Sequence, residues 1–304
     1  MFSRITQIFA KRSSRVNQYL HNIKGITKHF MNTSTQLPEI VKHYLESLNI
    51  EHPQNQISFL SSLQRKHIGT FSFNNLDVLL DKELPLEMTD LSEKILTHNR
   101  GGYCFEHNKL FFAILKALGY EVSIALGKVT PELQSDGPRT HRITLLKHEG
   151  KEYIVDVGFG PRNPVGLIPF VIEDTIEQHG WSYRIVQNDR GEYVLQSKKG
   201  SDPYVCLYTF DRGHYTEGDC EAGHFYSRQH PKASFPNRLM VSLVQEEQVL
   251  AIYNRTYRIR RGNGHSEDIP IESLGQFCSI LEEDFAVQLS QEEAQYIWKK
   301  ALAF

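Results

Sequence analysis

The spacing of apolar residues changes at Gly119, and this change restricts the chain to folds that combine helices with strands. Before Gly119, from Leu37 onward, apolar residues recur every three or four positions, which is the period of a helix with one buried face. After it, apolar and more polar residues alternate, as they do between Val122 and Leu126. Many short alternating runs separated by turn residues favour a small sheet or barrel. The predicted fold class is therefore α+β.

The two periods predict elements along most of the chain from residue 37. The predicted helices are Leu37–Leu48, Ser58–His67, Thr89–Thr97, Cys104–Leu118, Ile271–Leu281 and Ser290–Ala301. The predicted strands, besides the one after Gly119, are His141–Lys147, Tyr153–Val157, Trp181–Val186, Glu192–Ser197, Tyr204–Phe210, Leu239–Val244, Val249–Asn254 and Thr256–Arg261.

Composition excludes several classes of protein. Hydrophobic residues make up 40% and charged residues 23%, a mixture that can form a core and argues against intrinsic disorder. The longest apolar run, Leu110–Leu115, is far shorter than the ~20 residues of a membrane-spanning helix. A net charge of −2 lacks the basic footprint of nucleic-acid-binding proteins. The cysteines Cys104, Cys206, Cys220 and Cys278 lie far apart, which favours free thiols in a reducing cytoplasm.

Residues 1–36 form a basic extension. They contain six Lys or Arg and no Asp or Glu, whereas the other 268 residues carry a net charge of −8. Apolar residues from Ile5 to Ile23 also fall on one helical stripe. We expect a disordered or amphipathic segment that catalysis does not need. The alternative is an organelle-import signal or a weak membrane contact, because both use basic amphipathic helices.

The stretch Arg100-Gly-Gly-Tyr-Cys104 is the most informative for chemistry. Two glycines permit unusual backbone angles directly before a predicted helix, and Cys104 then lies in its first turn. The positive end of a helix dipole favours a thiolate, so we expect the pKa of this cysteine to be lowered. Many buried cysteines are only packing residues, however, and a nucleophile needs a base.

A predicted hairpin supplies a histidine and a carboxylate. His141 lies on the first strand and Asp156 on the second. If the turn centres between His148 and Glu149, the two residues face each other; if it centres between Glu149 and Gly150, they are diagonal neighbours. Both registers put them on one face of the sheet. A carboxylate beside an imidazole fixes its tautomer, so the three side chains fit an activated nucleophile.

Three segments in this order resemble the signature segments of the arylamine N-acetyltransferases. They are Arg100–Asn108, His141-Arg142 and Asp156–Gly160, and the chain is also similar to that family at Phe73–Leu76, Phe225–Ser227 and Phe235. The likeness runs from about Leu37 to the C-terminus and does not include the basic extension.

The resemblance implies a mechanism. Cys104 would take the acetyl group of acetyl-CoA as a thioester, His141 would pair with its thiolate, and Asp156 would orient His141. An arylamine or hydrazine nitrogen, or the oxygen of an N-hydroxyarylamine, would then attack the acetyl-enzyme in a ping-pong cycle. Acetyl-CoA would be the co-substrate, and no metal is expected.

Other motif positions imply supporting roles. Phe159 would line the acceptor pocket. The residues that would support the active-site loop without reacting are Arg100, Glu106 and Asn108. The candidates, by position alone, for contacts with the substrates are Gly137, Thr140 and Gly160. The family's architecture is a helical N-terminal domain, a central β-barrel and an α/β lid around a cysteine-protease-like Cys-His-Asp core. On this sequence the three parts would be 37–118, 119–230 and 231–304.

Alternative functions remain open from sequence. The same three residue types serve cysteine hydrolases and the related amide synthases that close macrolactams. A metal site is also conceivable from residue types alone, at His214, Cys220, His224 and His230. Their spacing differs from that of standard zinc sites, and with fourteen histidines in the chain chance clusters are common.

Overall fold

A computed structural model of the chain describes residues 37–50, 56–130, 136–262 and 264–303. The basic extension 1–36, with the import and membrane alternatives that depend on it, lies outside these ranges. So does part of the loop Thr130–Thr140. Within the described ranges, none of the helices is both long enough and apolar enough to cross a lipid bilayer.

All six predicted helices are confirmed, with ends that differ by a few residues. The helices in the described ranges are α1 (Leu37–Ser47), α2 (Gln56–Thr70), α3 (Leu76–Leu79), α4 (Met88–Leu91), α5 (Cys104–Ala117), α6 (Glu217–Gln229), α7 (Leu274–Phe285) and α8 (Gln291–Ala301). A π-helical turn over Ser92–Thr97 continues α4. Helix α5 ends as expected, since Gly119 adopts a φ of +89° that residues with a Cβ rarely reach.

An eight-stranded antiparallel sheet forms a nearly closed barrel. Its strands are β2 (Glu121–Val129), β3 (His141–His148), β4 (Lys151–Val155), β5 (Ile168–Pro169), β6 (Thr175–Gln178), β7 (Trp181–Gln187), β8 (Tyr193–Lys199) and β9 (Val205–Phe210). Their order is β5-β4-β3-β2-β9-β8-β7-β6. The segment between β5 and β6 joins the two ends of the sheet, because the N–H of Glu173 donates to the carbonyl oxygen of Ile185 at 2.7 Å. Helix α5 packs outside this sheet, against β2 and β3.

A second sheet separates a hydrophobic cluster from a cavity. Its order is β1-β10-β11-β12-β13, with β1 (Phe73–Asn74), β10 (Met240–Val244), β11 (Gln248–Tyr253), β12 (Thr256–Arg261) and β13 (Ser266–Pro270). Side chains alternate between its two faces. Leu243, Leu250 and Ile252 pack with Phe277 of α7 and Ile297 of α8. The opposite face borders the cavity described below.

The structure differs from the sequence-based prediction at the end of one strand and in several elements that were not predicted. The strand predicted at Tyr153–Val157 ends at Val155, so Asp156 begins the following loop instead of lying on the strand. Helix α6 was not predicted, because its apolar stripe is weak and three of its thirteen residues are acidic. Strands β5, β6 and β13 were also not predicted, because they are short or largely exposed and lack a clear alternating apolar pattern.

Candidate active site

Cys104 is the first residue of α5, and the glycines before it fix where that helix starts. Gly101 has a φ of +65°, and a Cβ there would lie 2.1 Å from the carbonyl oxygen of Ser72. The N–H of Asn74 donates to the carbonyl oxygen of Gly102 at 2.6 Å, which joins the loop to β1. The loop can therefore approach β1 this closely only with glycine at position 101.

The hairpin of β3 and β4 adopts the second of the two registers that the sequence allowed. Its turn consists of Glu149 and Gly150, with φ values of 49° and 73°. Two consecutive residues with positive φ are typical of the tight turns that join antiparallel strands. His141 and Asp156 are accordingly diagonal neighbours and not direct cross-strand partners.

A buried hydrogen bond joins His141 to Asp156. The distance from His141 Nε2 to Asp156 Oδ2 is 2.7 Å, and each residue is 1% exposed. Burial alone would raise the pKa of the Asp156 carboxyl. The His141 ring and the hydrogen bonds from His141, Asn108 and the N–H of Gly158 outweigh burial, so this pKa lies below its usual value. The carboxylate is therefore ionised, and Nε2 of His141 carries the proton that it accepts.

Asn108 and Gly158 bring the start of α5 and the loop after β4 together. Asn108 Nδ2 donates to Asp156 Oδ1 at 2.9 Å, and its Oδ1 accepts from the N–H of Val157 at 3.0 Å. A Cβ at Gly158 would lie 2.8 Å from the Cα of Cys104. Glycine at position 158 thus lets the loop pack directly on the first turn of α5, and this brings Asp156 close to the cysteine.

The pKa of the Cys104 thiol lies above its usual value, contrary to the expectation from its helix position. Sγ lies 3.5 Å from the carbonyl oxygen of Thr140, to which it donates. Burial raises the pKa of the Cys104 thiol, and the nearby charge of Asp156 raises it further. Desolvation therefore outweighs the helix dipole at this site. Thiolate formation needs a proton acceptor, and His141 is an imidazole that lines the same cavity as Cys104.

Cys104 and His141 line one cavity of about 480 Å³. Of the residues expected to contact substrates, Phe159, Thr140 and Gly137 also line it, whereas Gly160 does not. Gly160 instead adopts a φ of +83° in a tight turn, where a Cβ would lie 3.2 Å from the ring of a β1 residue. The ring of Phe159 packs edge-on against that of His141, with 5.2 Å between centroids.

Arg100 and Glu106 belong to a buried network beside the cysteine and not to the cavity wall. Arg100 Nη2 donates to Asp77 at 2.8 Å. Lys94 bridges Asp77 at 2.9 Å and Glu106 at 2.6 Å. Glu106 also accepts from the N–H of Tyr103 at 3.1 Å, at the start of α5. These contacts tie the nucleophile loop to α3 and α4.

The histidine and cysteine residues from 214 to 230 do not converge. Cys220 and His224 lie on α6. Nε2 of His224 donates to the carbonyl oxygen of Leu84 at 3.0 Å, which leaves Nδ1 to accept from the hydroxyl of Tyr103. Among the described residues, no three or more His, Cys, Asp or Glu side chains lie close enough together to hold a metal ion.

Several cavity residues were missed at the level of sequence. They are Tyr253 and four arginines, Arg162, Arg238, Arg258 and Arg260. Phe73 and Phe235 line the cavity too, and the sequence had indicated them only as positions of family resemblance. The pattern Tyr257-Arg-Ile-Arg260 on β12 contained a usable signal, since its alternation puts both arginines on the face opposite the core. Nothing in the sequence indicated that this face borders a cavity.

Comparisons with known proteins identify the family. The family model described as N-acetyltransferase matches residues 56–294. The arylamine N-acetyltransferase of Escherichia coli is 31% identical over 257 residues, which cover 82% of this chain and 89% of that protein. The arylamine N-acetyltransferase / N-hydroxyarylamine O-acetyltransferase of Salmonella typhimurium is also 31% identical, covering 76% and 82%.

Solved structures agree with these matches. The Salmonella typhimurium arylamine N-acetyltransferase superposes with a TM-score of 0.80 at 26% identity, covering 90% of this chain and all of that one. A Mycobacterium marinum arylamine N-acetyltransferase in complex with CoA superposes with a TM-score of 0.78 at 26% identity, covering 86% and 98%. The chain is therefore an acetyltransferase and belongs to the arylamine N-acetyltransferase family.

Proposed function

We propose that this enzyme transfers an acetyl group from acetyl-CoA to an arylamine or hydrazine nitrogen, or to the oxygen of an N-hydroxyarylamine, through a thioester on Cys104. The activities named for its relatives and the CoA complex of one structural neighbour support the two substrate classes. The observation that carries the proposal is the His141–Asp156 hydrogen bond in the wall of the same cavity as Cys104.

In the first half-reaction His141 accepts the proton of the thiol. Its Nε2 is engaged by Asp156, so Nδ1 is the nitrogen that is unprotonated in the neutral ring. Proton transfer from Cys104 to Nδ1 creates an ion pair inside the site, which costs less in a buried cavity than an isolated thiolate. The sulfur attacks the acetyl carbonyl carbon, the carbon–sulfur bond to CoA breaks, and the departing sulfur takes the proton from His141.

In the second half-reaction the acceptor reverses these proton transfers. The amine nitrogen attacks the thioester carbonyl carbon and gives its proton to Nδ1 of His141. The bond from carbon to the sulfur of Cys104 then breaks, and the sulfur recovers the proton. The N–H of Cys104, at the start of α5, is the proposed donor to the oxyanion in both steps.

The remaining residues support this cycle without forming bonds to the acetyl group. Asn108 holds the Asp156 carboxylate, and the contacts of Arg100 and Glu106 hold the loop before Cys104. Phe159 packs against His141 and forms part of the wall that an aromatic acceptor would contact. Gly137 and Thr140 line the cavity as further substrate contacts, and Gly160 shapes the turn behind it.

Intact-protein mass spectrometry tests the covalent step. Incubation with acetyl-CoA should add one acetyl group to the wild-type chain and none to Cys104→Ala. Cys278→Ala is the matched control, because this half-buried thiol on α7 does not line the cavity. An acetyl group that persists on Cys104→Ala contradicts the proposed nucleophile.

Release of CoA and acetate distinguishes transfer from hydrolysis. Without an arylamine, we expect one equivalent of CoA per chain and then no further release. With an arylamine, CoA release should continue at the rate of amide formation. Continuous release of acetate without an acceptor would assign the site to a cysteine hydrolase instead.

A further inference from the structure

Four arginines form one side of the cavity that contains Cys104, and we name this side the cationic wall: Arg162, Arg238, Arg258 and Arg260. Two of them come from β12. Tyr257 on that strand packs into the core beneath the second sheet, and the alternation of side chains directs Arg258 and Arg260 to the opposite face. The other two lie on segments before β5 and β10.

The positive charge of the cationic wall is largely uncompensated. Arg258 Nε donates to Asp268 of β13 at 2.6 Å. Within the described ranges, no carboxylate lies at ion-pair distance from Arg162, Arg238 or Arg260. Three of the four guanidinium groups therefore lack an acidic partner at ion-pair distance there, and only the charge of Asp268 acts on Arg260 from farther away. The like charges repel one another, which favours binding of an anion.

The arginines of the cationic wall lie around Tyr253, which lines the same cavity. Cζ of Arg258 is 5.8 Å from the centroid of the Tyr253 ring. Burial raises the pKa of the Tyr253 hydroxyl, and the charges of all four arginines oppose that rise. Burial lowers the pKa of Arg260 from its usual value, and the charges of Arg258 and Arg162 lower it further. The charges of all four arginines thus reach the hydroxyl of Tyr253; Arg162, Arg258 and Arg260 are half-buried, and Arg238 is exposed at the rim.

We propose that the cationic wall binds an oxyanion, carboxylate or phosphate, of a substrate whose acetyl-transfer end lies at Cys104. Guanidinium groups bind both oxyanions with charge-assisted, often bidentate hydrogen bonds. This inference rests on the proposed function, because it assumes that a substrate in the cavity reaches Cys104.

Sheet geometry gives the separation between the backbone of the cationic wall and the strand beside the cysteine loop. Arg258 lies in the same cross-strand row as Ser242 and Phe73. Three strand spacings, about 14 Å, therefore separate the backbones of Arg258 and Phe73. Phe73 in turn bridges to Gly102, two residues before Cys104. The anion consequently belongs to an extended substrate. It is either a phosphate of CoA or an acid group that stands well away from the amine of the acceptor.

The variant Arg260→Gln tests the cationic wall, with Arg261→Gln as the matched control. Arg261 is the next residue of β12, pairs with Glu267 at 2.8 Å and does not line this cavity. In the donor arm, acetylation of Cys104 by acetyl-CoA is compared with acetylation by p-nitrophenyl acetate, which has no phosphate. In the acceptor arm, 4′-aminobiphenyl-4-carboxylate is compared with its neutral carboxamide, with p-nitrophenyl acetate as the donor.

We expect Arg260→Gln to reduce the preference for the charged member of one pair about tenfold, through KM and not kcat, as for loss of one hydrogen bond to a charged group. A tenfold loss in the donor arm assigns the wall to a CoA phosphate, and one in the acceptor arm assigns it to an acceptor carboxylate. Unchanged preferences in both arms, or equal losses in Arg261→Gln, would overturn the inference. Failure of the wild-type chain to become acetylated by either donor would instead refute the proposed function.

Discussion

Two buried histidine sites lie beside the start of α5, and they differ in the groups that bind their ring nitrogens. His141 contacts the Asp156 carboxylate and lines the cavity. His67 and His107 are fully buried in the helical core, where their rings are 2.8 Å apart through Nε2 of His67 and Nδ1 of His107. Burial lowers the pKa of His107 to about 4 and that of His67 well below its usual value.

The hydrogen bonds of the core pair fix the position of every proton. The carbonyl oxygen of Ser72 can only accept, so Nε2 of His107 donates to it at 3.1 Å. Nδ1 of His107 must then accept from Nε2 of His67, and Nδ1 of His67 must accept from the hydroxyl of Tyr44 at 2.8 Å. A further proton on the pair would require the Tyr44 hydroxyl to turn from donor to acceptor and would place a charge among neutral, buried groups.

Both histidine sites are buried, but the hydrogen-bond partners of their rings differ in charge. The carboxylate of Asp156 accepts the proton on Nε2 of His141, so Nδ1 of the neutral ring is free to accept another. Tyr44 and Ser72 supply only neutral dipoles, so the core pair stays uncharged. The first arrangement suits proton transfer. The second holds α2 against the loop that precedes Cys104, because Ser72 also accepts from the N–H of Gly102.

Asp156→Asn gives His141 an uncharged partner, as in the His67–His107 pair. Of the variants considered, it should cause the largest change, a loss of kcat/KM. The amide can donate to Nε2, which moves the ring proton to Nδ1, the nitrogen that must accept the proton of Cys104. We expect kcat/KM to fall by about 10³- to 10⁴-fold with little change in the unfolding midpoint. Steady-state assays and urea unfolding measure the two quantities. A loss below tenfold would show that the carboxylate does not set the tautomer.

Much of this comparison could be predicted from the sequence, and its limits have physical causes. Helical and strand periods located α1, α5, β3 and β4, because these elements have one strongly apolar face. They also put His141 and Asp156 on one side of a hairpin. Periodicity does not report desolvation, and for this reason the raised pKa of Cys104 was not expected.

Contacts between segments that are distant along the chain could not be predicted from the sequence either. His67 and His107 lie forty residues apart, and nothing local indicates that their rings meet. The cationic wall combines a loop of the barrel with the second sheet, so its four arginines are neighbours only in three dimensions. Each of these features depends on how helices and sheets pack together and not on the pattern within one element.

His107→Gln tests whether the His67–His107 pair resists protonation at acid pH. Its effect, on the pH dependence of the unfolding free energy, should be intermediate in size. The folded-state pKa of about 4 lies below the usual 6.5, so the unfolded chain binds the proton first as the pH falls. Stability should therefore be lost between about pH 6.5 and pH 4, by roughly 3 kcal/mol for this group. Glutamine can still donate to Ser72 and accept from His67, but it does not titrate, so the variant should lose less stability across this range.

Urea unfolding at a series of pH values measures the difference, with His98→Gln as the control. His98 is an exposed histidine, 63% accessible at its side chain, and its replacement should leave the acid dependence unchanged. An acid dependence that is the same in His107→Gln as in the wild-type chain would show that this ring is not the one that resists protonation.

Tyr44→Phe should cause the smallest change. It measures how much the hydrogen bond from the Tyr44 hydroxyl to His67 contributes to the free energy of unfolding. Loss of the hydroxyl leaves Nδ1 of His67 buried without its donor, which costs about 1 to 2 kcal/mol of unfolding free energy. Tyr120→Phe is the control, because the buried hydroxyl of Tyr120 has no hydrogen-bond partner among the described residues. Its removal should be neutral or slightly stabilising. Equal unfolding free energies for the two variants would mean that the Tyr44 hydroxyl does not hold His67, and that the tautomers of the pair are set by Ser72 alone.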